Sequence, residues 1–383
     1  MPGGRCLGLL PVEWACDSIS AWKTRRTWWR TCARHSREGE RVQGTSVRPH
    51  GRDSRREHWR LVALGLLAAA FFSLSFVLNR SMSLSGGHWV WSASLRYATT
   101  ILLLGGWLGL RRGRTWLLEL ARVFLTRPGF WLLAGSVGFG VFYGGICLAA
   151  DHAPGWLVAT TWQTTLLASP FVLRAFGLRV PLRGVLFMVL IFVGIVLANL
   201  HSWKSGLSVE EVLRGVLPVL VAAFAYPFGN QLLNAARNGT SARVTHVRSP
   251  VLEDAASCVL LMSLGSAPFW LVLVAVVSPP APAASQVVQT LAVALSSGVI
   301  ATTLFLRARN LARDAYSIAA VDATQAAEVV FALVGEVLML GAPLPGVEVL
   351  VGLLLVTGGI LGFTLGNSLP EEAEPGADTA REA

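Results

Sequence analysis

Long apolar runs alternate with short polar connections from about residue 60 to residue 366. Each run approaches the roughly 20 apolar residues that an α-helix needs to cross the hydrocarbon core of a bilayer. With charged residues, glycine and proline as boundaries, the pattern predicts ten membrane-spanning helices. These predicted spans are residues 61–78, 89–110, 130–150, 156–176, 182–200, 212–235, 252–277, 286–306, 315–341 and 347–366.

The composition supports a membrane protein. Hydrophobic residues make up 53% of the 383 residues and charged residues 14%, whereas about a quarter of a soluble domain is charged. The mean hydropathy is +0.56. These values exclude a disordered chain, a collagen and a small disulfide-rich domain, and they predict an all-α membrane protein.

Positive charge alternates along the chain. Only Arg80, Lys204 and Arg214 follow odd-numbered spans, and 13 Lys and Arg residues precede the first span. Because cytoplasmic loops collect Lys and Arg, we expect both termini in the cytoplasm. The net charge of +10 then needs no nucleic-acid partner. The arginines that follow even-numbered spans are Arg111, Arg112, Arg114, Arg122, Arg127, Arg174, Arg179, Arg183, Arg237, Arg243, Arg248, Arg307, Arg309 and Arg313.

An internal echo predicts a duplicated chain. Glycines and prolines that join the fourth span to the fifth in each half recur at a constant spacing. The pairs are Gly177 and Gly341, Pro181 and Pro345, and Gly194 and Gly358. The echo predicts two five-helix repeats, residues 61–200 and 212–366, joined by a linker at 201–211. Because five is odd, the repeats would be inverted in the membrane, which is a transporter architecture.

Two segments lie outside the predicted bundle. Residues 1–60 are basic and contain scattered tryptophans; they could be a disordered extension, sequence upstream of the true start, or an arm that lies on anionic lipid. Residues 367–383 are acidic and are predicted to be disordered.

Acidic residues in the ninth span are the first candidate site. Asp322, Gln325, Glu328 and Glu336 fall within an arc of about 120° on an ideal helix, which must face protein or water. A charge at this depth costs about 2.5–3.5 kcal/mol. Because no partner at matching depth is evident for Glu328, we predict that it binds a proton or a cationic substrate. Arg96 and Glu336 have similar depth, which predicts a structural ion pair.

The fourth span holds the second candidate site, the polar run 160–165, followed by a break at Pro170. Threonines in spans often bond their own helix. Trp162 and Gln163 instead suit an aromatic cation or another amphipathic substrate, and Tyr143 could join them on a recognition wall.

No catalytic or metal motif accompanies these groups. The sequence has no Walker loop, nucleophile elbow or His-Glu-x-x-His helix, and its five cysteines have no ligand spacing. We therefore expect neither an enzyme nor a bound cofactor or metal.

Several segments together resemble the multidrug resistance efflux transporter family of the drug/metabolite transporter superfamily. They are residues 76–82, 86–97, 138–144, 154–156, 161–165 and 320–328. The resemblance implies a ten-span exporter of the cell inner (plasma) membrane, with duplicated, inverted halves, that is driven by an ion gradient. Similar four-span exporters use a glutamate in their first span, but residues 61–78 contain no carboxylate, so Glu328 takes that role from its position alone.

The predicted function is secondary transport, the proton-coupled export of small amphipathic or cationic compounds. One alternative is the export of a metabolite such as an amino acid, which would require Arg96 in the cavity rather than paired. A second is a non-transporting scaffold or signalling protein that acts through residues 1–60. Whether the protein is a monomer or a dimer stays open.

Overall fold

The computed structural model describes residues 51–177, 185–204, 209–239, 244–312 and 315–366. The chain divides into two units, Met1–Arg56 and Glu57–Ala383, and every contact given below lies in the second. Most of the predicted N-terminal extension, the acidic tail 367–383 and Pro181 of the repeat echo lie outside the described residues.

All regular structure in these ranges is helical. The α-helices are α1 (Gly51–Leu84), α2 (Trp89–Arg112), α3 (Arg114–Thr126), α4 (Pro128–Gly135), α5 (Phe142–His152), α6 (Gly155–Trp162), α7 (Thr164–Ala175), α8 (Val185–Lys204), α9 (Val209–Asn238), α10 (Ala255–Val277), α11 (Ala284–Val293), α12 (Thr302–Leu311), α13 (Ala315–Ala323), α14 (Ala327–Leu340) and α15 (Val347–Gly366). Two π-helical segments, Ser136–Val141 and Ala294–Ala301, and two 3-10 segments, Pro250–Leu252 and Thr324–Ala326, complete the set.

Six helices in the described residues are long and apolar enough to cross a membrane. They are Trp59–Leu84, Pro128–His152, Leu213–Asn238, Ala255–Val277, Ala284–Phe305 and Ala320–Leu340. Shorter apolar helices cover Leu186–Asn199 and Val347–Gly362. The prediction of an all-helical protein is confirmed, and ten spans in two repeats remain a prediction.

Four of the predicted spans are interrupted where continuous helices were expected. A π segment lies between α4 and α5, and another between α11 and α12. The fourth predicted span breaks at Gln163, whose amide donates to the carbonyl of Thr160, three residues back. The prediction of a break at Pro170 is wrong: Pro170 lies inside α7, as proline can in apolar helices whose neighbours compensate for the lost hydrogen bond.

Connections that follow alternate helices meet at opposite ends of the bundle. Trp91, after the first connection, donates to the carbonyl of Pro280 at 2.7 Å. At the other end, Arg112 lies 3.7 Å from the Asp254 carboxylate, and Trp116 of α3 donates to Ser257 at 3.0 Å. The arrangement agrees with the alternation of arginine along the sequence; the orientation in a membrane remains a prediction.

Glycines allow close packing of helices in the described residues, for example between the first π segment and α9 and between α8 and α15. The π segment after α4 meets α9 at Gly138 and Gly229, where a side chain on either residue would overlap the other backbone. Helices α8 and α15 meet at Gly194 and Gly352, and a Cβ on Gly194 would lie 2.5 Å from the Gly352 carbonyl oxygen. Small residues permit this backbone contact where lipid provides no hydrophobic drive for association.

Candidate functional site

Glu328 lies in the first turn of α14, directly after a 3-10 turn. The residue is only 7% exposed. Within the part of the chain that the structure describes, no hydrogen bond or ion pair reaches its carboxylate. The phenol of Tyr226 on α9 is close enough to the Glu328 carboxyl to interact with it electrostatically. A buried carboxyl without a fixed partner is available to a proton or to a cationic ligand.

The 3-10 turn before Glu328 carries Gln325. The Nε2 atom of Gln325 is buried and has no hydrogen-bond partner, so a donor is left unsatisfied at the break in the helix. Asp322 is half-buried on α13, on the other side of this turn. The arc of about 120° predicted for these residues assumes an uninterrupted α-helix. It does not apply across this turn, because a 3-10 helix has 3.0 residues per turn rather than 3.6.

Three aromatic side chains from three helices form one contact set, the aromatic triad of Phe142, Trp162 and Tyr226. The ring centroids of Phe142 and Tyr226 lie 4.7 Å apart, those of Phe142 and Trp162 4.9 Å, and those of Trp162 and Tyr226 5.5 Å. Trp162 ends α6, so the break at Gln163 places its indole beside α9. Trp162, for which a role in recognition remains a prediction, therefore contacts Tyr226.

A cavity of about 400 Å³ adjoins the triad between α7 and α9. Tyr226 belongs to both the cavity and the triad. Gln231 is 8% exposed, and its Nε2 atom has no hydrogen-bond partner. The cavity therefore has an apolar wall with polar groups able to orient a ligand. It is lined by Thr165, Ser169, Val172, Leu173, Tyr226, Pro227, Asn230, Gln231 and Asn234.

Two of the predicted recognition residues, Gln163 and Tyr143, form hydrogen bonds within the protein. Gln163 is 4% exposed, and its Nε2 atom donates to the carbonyl of Ala159 on its own helix at 3.3 Å. The hydroxyl of Tyr143 accepts from Asn79 Nδ2 at 3.1 Å and lies 3.3 Å from Asn79 Oδ1. Both side chains therefore hold the structure beside the triad.

Arg96 and Glu336 do not form the predicted ion pair. Arg96 donates to the hydroxyl of Ser297 at 3.0 Å, and its guanidinium lies 3.9 Å from the centre of the Tyr143 ring. Glu336 accepts from the backbone amides of Gly155 and Trp156, each at 3.0 Å. The first amides of a helix have no partner within it and favour an anion. The first amides of α6 therefore bind the Glu336 carboxylate. Similar depth in the membrane had been the sole basis for pairing Glu336 with Arg96.

Arg80, which was not among the predicted site residues, makes structural contacts. It lies within α1 and donates to the carbonyls of Ala150 at 2.9 Å and Asp151 at 3.3 Å, at the end of α5. It is also within electrostatic reach of Glu336. We call Arg80, Glu336 and the connection at residues 150–156 the clamp. The sequence indicated Arg80 only as a cation four residues before Leu84, where α1 ends.

Each break in a helix is packed by a helix from the other predicted repeat. The break in the ninth predicted span meets α1, where a Cβ on Gly65 would overlap Thr324. The break in the fourth meets α9 through Trp162 and Tyr226. Ser297, which accepts a hydrogen bond from Arg96, lies in the π segment after α11. The irregular turns thus surround the charged and aromatic side chains.

No group of three or more His, Cys, Asp or Glu residues in the described ranges could hold a metal ion.

Comparisons with known proteins agree with a membrane transporter. Residues 59–368 match the sequence model of the EmrE family, described as a multidrug resistance efflux transporter. The chain is 38% identical over 321 residues to the uncharacterized protein YjlA of Bacillus subtilis (strain 168), covering 80% of this chain and 94% of that protein. It is 37% identical over 266 residues to an uncharacterized 42.1 kDa protein of Shouchella clausii, covering 66% of each.

A solved crystal structure shares the fold. It aligns with a TM-score of 0.51 at 17% identity, over 82% of this chain and 98% of the other. At that identity the likeness concerns the fold alone. The match to the family spans nearly the whole helical part of the chain, so the protein belongs to the multidrug resistance efflux transporter family of the drug/metabolite transporter superfamily.

Proposed function

We propose that the protein is a secondary active transporter that exports small amphipathic compounds in exchange for protons. The observation that carries the proposal is Glu328, a buried carboxyl that no hydrogen bond or ion pair reaches within the described residues. It lies at a break in a helix, within electrostatic reach of Tyr226 on the cavity wall. Charged groups inside a bilayer are costly and are retained for function.

Paired irregularities support two inverted repeats of five helices. The third predicted span contains the π segment Ser136–Val141, and the eighth contains Ala294–Ala301. The fourth breaks at Gln163, and the ninth breaks at the turn that holds Gln325. Helices interrupted at corresponding positions of two halves are a mark of transporter binding sites.

Proton-coupled export follows if the Glu328 carboxyl binds either a proton or the transported compound. With a proton bound, Glu328 is neutral and has little attraction for a cation. Without it, the carboxylate attracts a positive group, while the apolar body of the compound packs on the aromatic triad. A group that binds the proton or the compound, but not both, couples export to proton entry when access alternates between the two faces.

The arginine pattern supports an orientation with both termini in the cytoplasm, and membership of the family supports a location in the plasma membrane. Residues 1–60 are then an accessory arm. We expect deletion of residues 1–50 to leave transport unchanged, whereas a scaffold or signalling protein that acts through the arm would lose its function. The oligomeric state, monomer or dimer, is decided by the mass of the detergent-solubilised protein.

A second candidate substrate class, metabolites such as amino acids, is favoured by Arg96. The guanidinium contacts the hydroxyl of Ser297 and the ring of Tyr143, both neutral. No ion pair neutralises it within the described part of the chain. An anionic group on a substrate would have a partner there.

The deciding experiment compares Glu328→Gln with Glu210→Gln in proteoliposomes with an imposed pH gradient. Glu210 is exposed and forms an ion pair with Arg214, four residues along α9. With a panel of cationic amphipathic dyes, we expect Glu328→Gln to abolish flux driven by the gradient and Glu210→Gln to retain it. Undiminished flux in Glu328→Gln would remove this residue from the mechanism.

A further inference from the structure

We propose that a second cavity, at the end of the bundle where α9 leads to α10, binds the phosphate of an anionic phospholipid headgroup. This cavity has a volume of about 380 Å³ and shares no lining residue with the cavity beside the aromatic triad. The inference does not depend on the proposed transport. The cavity is lined by Arg237, His246, Val247, Arg248, Ser249, Pro250, Leu252 and Glu253.

The first step is that the connection after α9 folds back on the end of that helix. Gly239 follows α9 with a φ of +64°, the left-handed conformation that glycine adopts most readily after a helix. The amide of Val247 then donates to the carbonyl of Ala236 at 2.8 Å. The return of the chain brings Arg248 to the same cavity as Arg237, which lies in the last turn of α9.

The second step is that the lining has an excess of positive charge. It contains two arginines and one carboxylate, that of Glu253. Within the described residues, no ion pair joins Arg237 or Arg248 to a carboxylate. The ring of His246 adds an N–H donor. One phosphodiester, with a single negative charge, would balance the lining, and guanidinium groups bind phosphate oxygens with paired hydrogen bonds.

The third step is that α3 indicates the depth of this end of the bundle. Its residues Leu120 and Val123 are buried against the protein, whereas Leu118 is 58% exposed and Leu125 is 71% exposed. The side chain of Arg122 is 81% exposed and lies about 40° from Leu118 on an ideal helix. A helix with an uncovered apolar face beside basic residues lies in the interface of a bilayer, at the level of the headgroups.

The cavity is joined to α3 and therefore lies at a similar depth. The hydroxyl of Ser249 in the cavity lining donates to the Glu119 carboxylate on α3 at 3.1 Å. The indole of Trp116 on α3 donates to Ser257 in the first turn of α10 at 3.0 Å. Basic pockets between helices on the cytoplasmic side, the side that the arginine pattern predicts for this end, bind anionic headgroups.

A phosphate group is common to lipid headgroups and to soluble phosphate compounds. The depth of the cavity favours the lipid, because a headgroup at this level can enter the cavity while its acyl chains stay in the bilayer. The arginines would then hold a lipid of the cytoplasmic leaflet against the end of α9.

The test titrates purified full-length protein in a neutral detergent with dioctanoyl phosphatidylglycerol. A ligand that binds the folded state raises the midpoint of thermal unfolding, so we expect a saturable rise. Dioctanoyl phosphatidylcholine, which has the same chains and phosphate but no net charge, should leave the midpoint unchanged, as should inorganic phosphate. The absence of a rise with phosphatidylglycerol, or an equal rise with either of the other two compounds, would overturn the proposal.

Variants distinguish the cavity from general attraction to a basic surface. We expect Arg237→Gln and Arg248→Gln each to raise the half-saturating concentration of phosphatidylglycerol at least about tenfold, because each removes a charge-assisted contact. Both arginines are exposed, so folding should be retained, and the shift is measured from the midpoint of each variant without lipid. Arg122→Gln is the matched control, since it removes the same charge from α3, outside the cavity lining, and should change the concentration by less than about twofold. Equal effects in the three variants would show diffuse attraction and refute the site.

Discussion

The Glu336 carboxylate lies 3.0 Å from the backbone nitrogen of Gly155 and binds the first amides of α6 from its place on α14. The two helices belong to different predicted repeats. A Cβ on Gly155 would lie 2.8 Å from the carbonyl oxygen of Phe76, so glycine is needed where α1, α6 and α14 converge. Arg80 binds the carbonyls of Ala150 and Asp151 at the end of α5. The connection between α5 and α6 is thereby held by a positive charge at one end and a negative charge at the other.

Glu336→Gln should destabilise the protein. A glutamine keeps one acceptor oxygen and loses the charge, so one hydrogen bond is lost and the other is no longer charge-assisted, at a cost of at least about 1.5–3 kcal/mol. The midpoint of thermal unfolding in detergent measures the effect, with Glu210→Gln as the exposed control. An unchanged midpoint would mean that the clamp contributes nothing to stability.

Gly194→Ala and Gly358→Ala form a matched pair from the repeat echo. A Cβ on Gly194 would meet the backbone of Gly352, whereas a Cβ on Gly358 would meet nothing within 4 Å. We expect Gly194→Ala to lose about 1–3 kcal/mol from overpacking and Gly358→Ala to lose little. Thermal unfolding in detergent distinguishes them. Equal effects would show that α8 and α15 do not pack as described.

Gln325→Leu should separate stability from transport. Because Nε2 of Gln325 has no partner, an apolar side chain of similar size should be neutral or stabilising, while transport falls if the donor serves a ligand. In the control Gln286→Leu, the amide loses hydrogen bonds to His88 and Ser92, each at 2.9 Å, and stability should fall. Full transport by Gln325→Leu would exclude a role in binding.

Trp162→Leu should weaken the binding of aromatic compounds. The substitution removes one ring of the triad, and an aromatic pair is worth about 0.5–1.5 kcal/mol beyond its burial, so affinity should fall up to about tenfold. Transport as a function of substrate concentration reports the change. Trp107→Leu, at an exposed position of α2, should leave affinity unaltered, and a similar loss in both variants would contradict a specific role for the triad.

The sequence was sufficient to locate the long apolar helices, but it predicted neither α3, which lies in the expected connection between the second and third spans, nor the interruptions of the helices. Apolar runs and arginines locate the helical segments, and depth along the ninth span identifies Glu328 as buried. The sequence does not mark the turn at Gln163. The nearby Pro170 is the more obvious helix breaker, and yet it lies inside α7. Breaks of this kind depend on tertiary contacts such as Gly65 on Thr324.

The partners of Arg96 and Glu336 were also beyond prediction from the sequence. Similar depth makes two charges possible partners, but a helical wheel treats the backbone as inert. In the fold, the free amides at the start of α6 compete for the carboxylate. The arginine in turn contacts a ring and a hydroxyl. Charge pairing in a membrane protein thus requires knowledge of where each helix begins.

The contact between α8 and α15 has a consequence for measuring motion. Where Gly194 meets Gly352, backbone touches backbone, and no side chain lies between them whose rotamer could absorb a shift. A pair of spin labels placed near the ends of these two helices should therefore keep one distance through the whole transport cycle. This constant distance can serve as the internal reference for measuring a change in the distance between Trp162 and Tyr226.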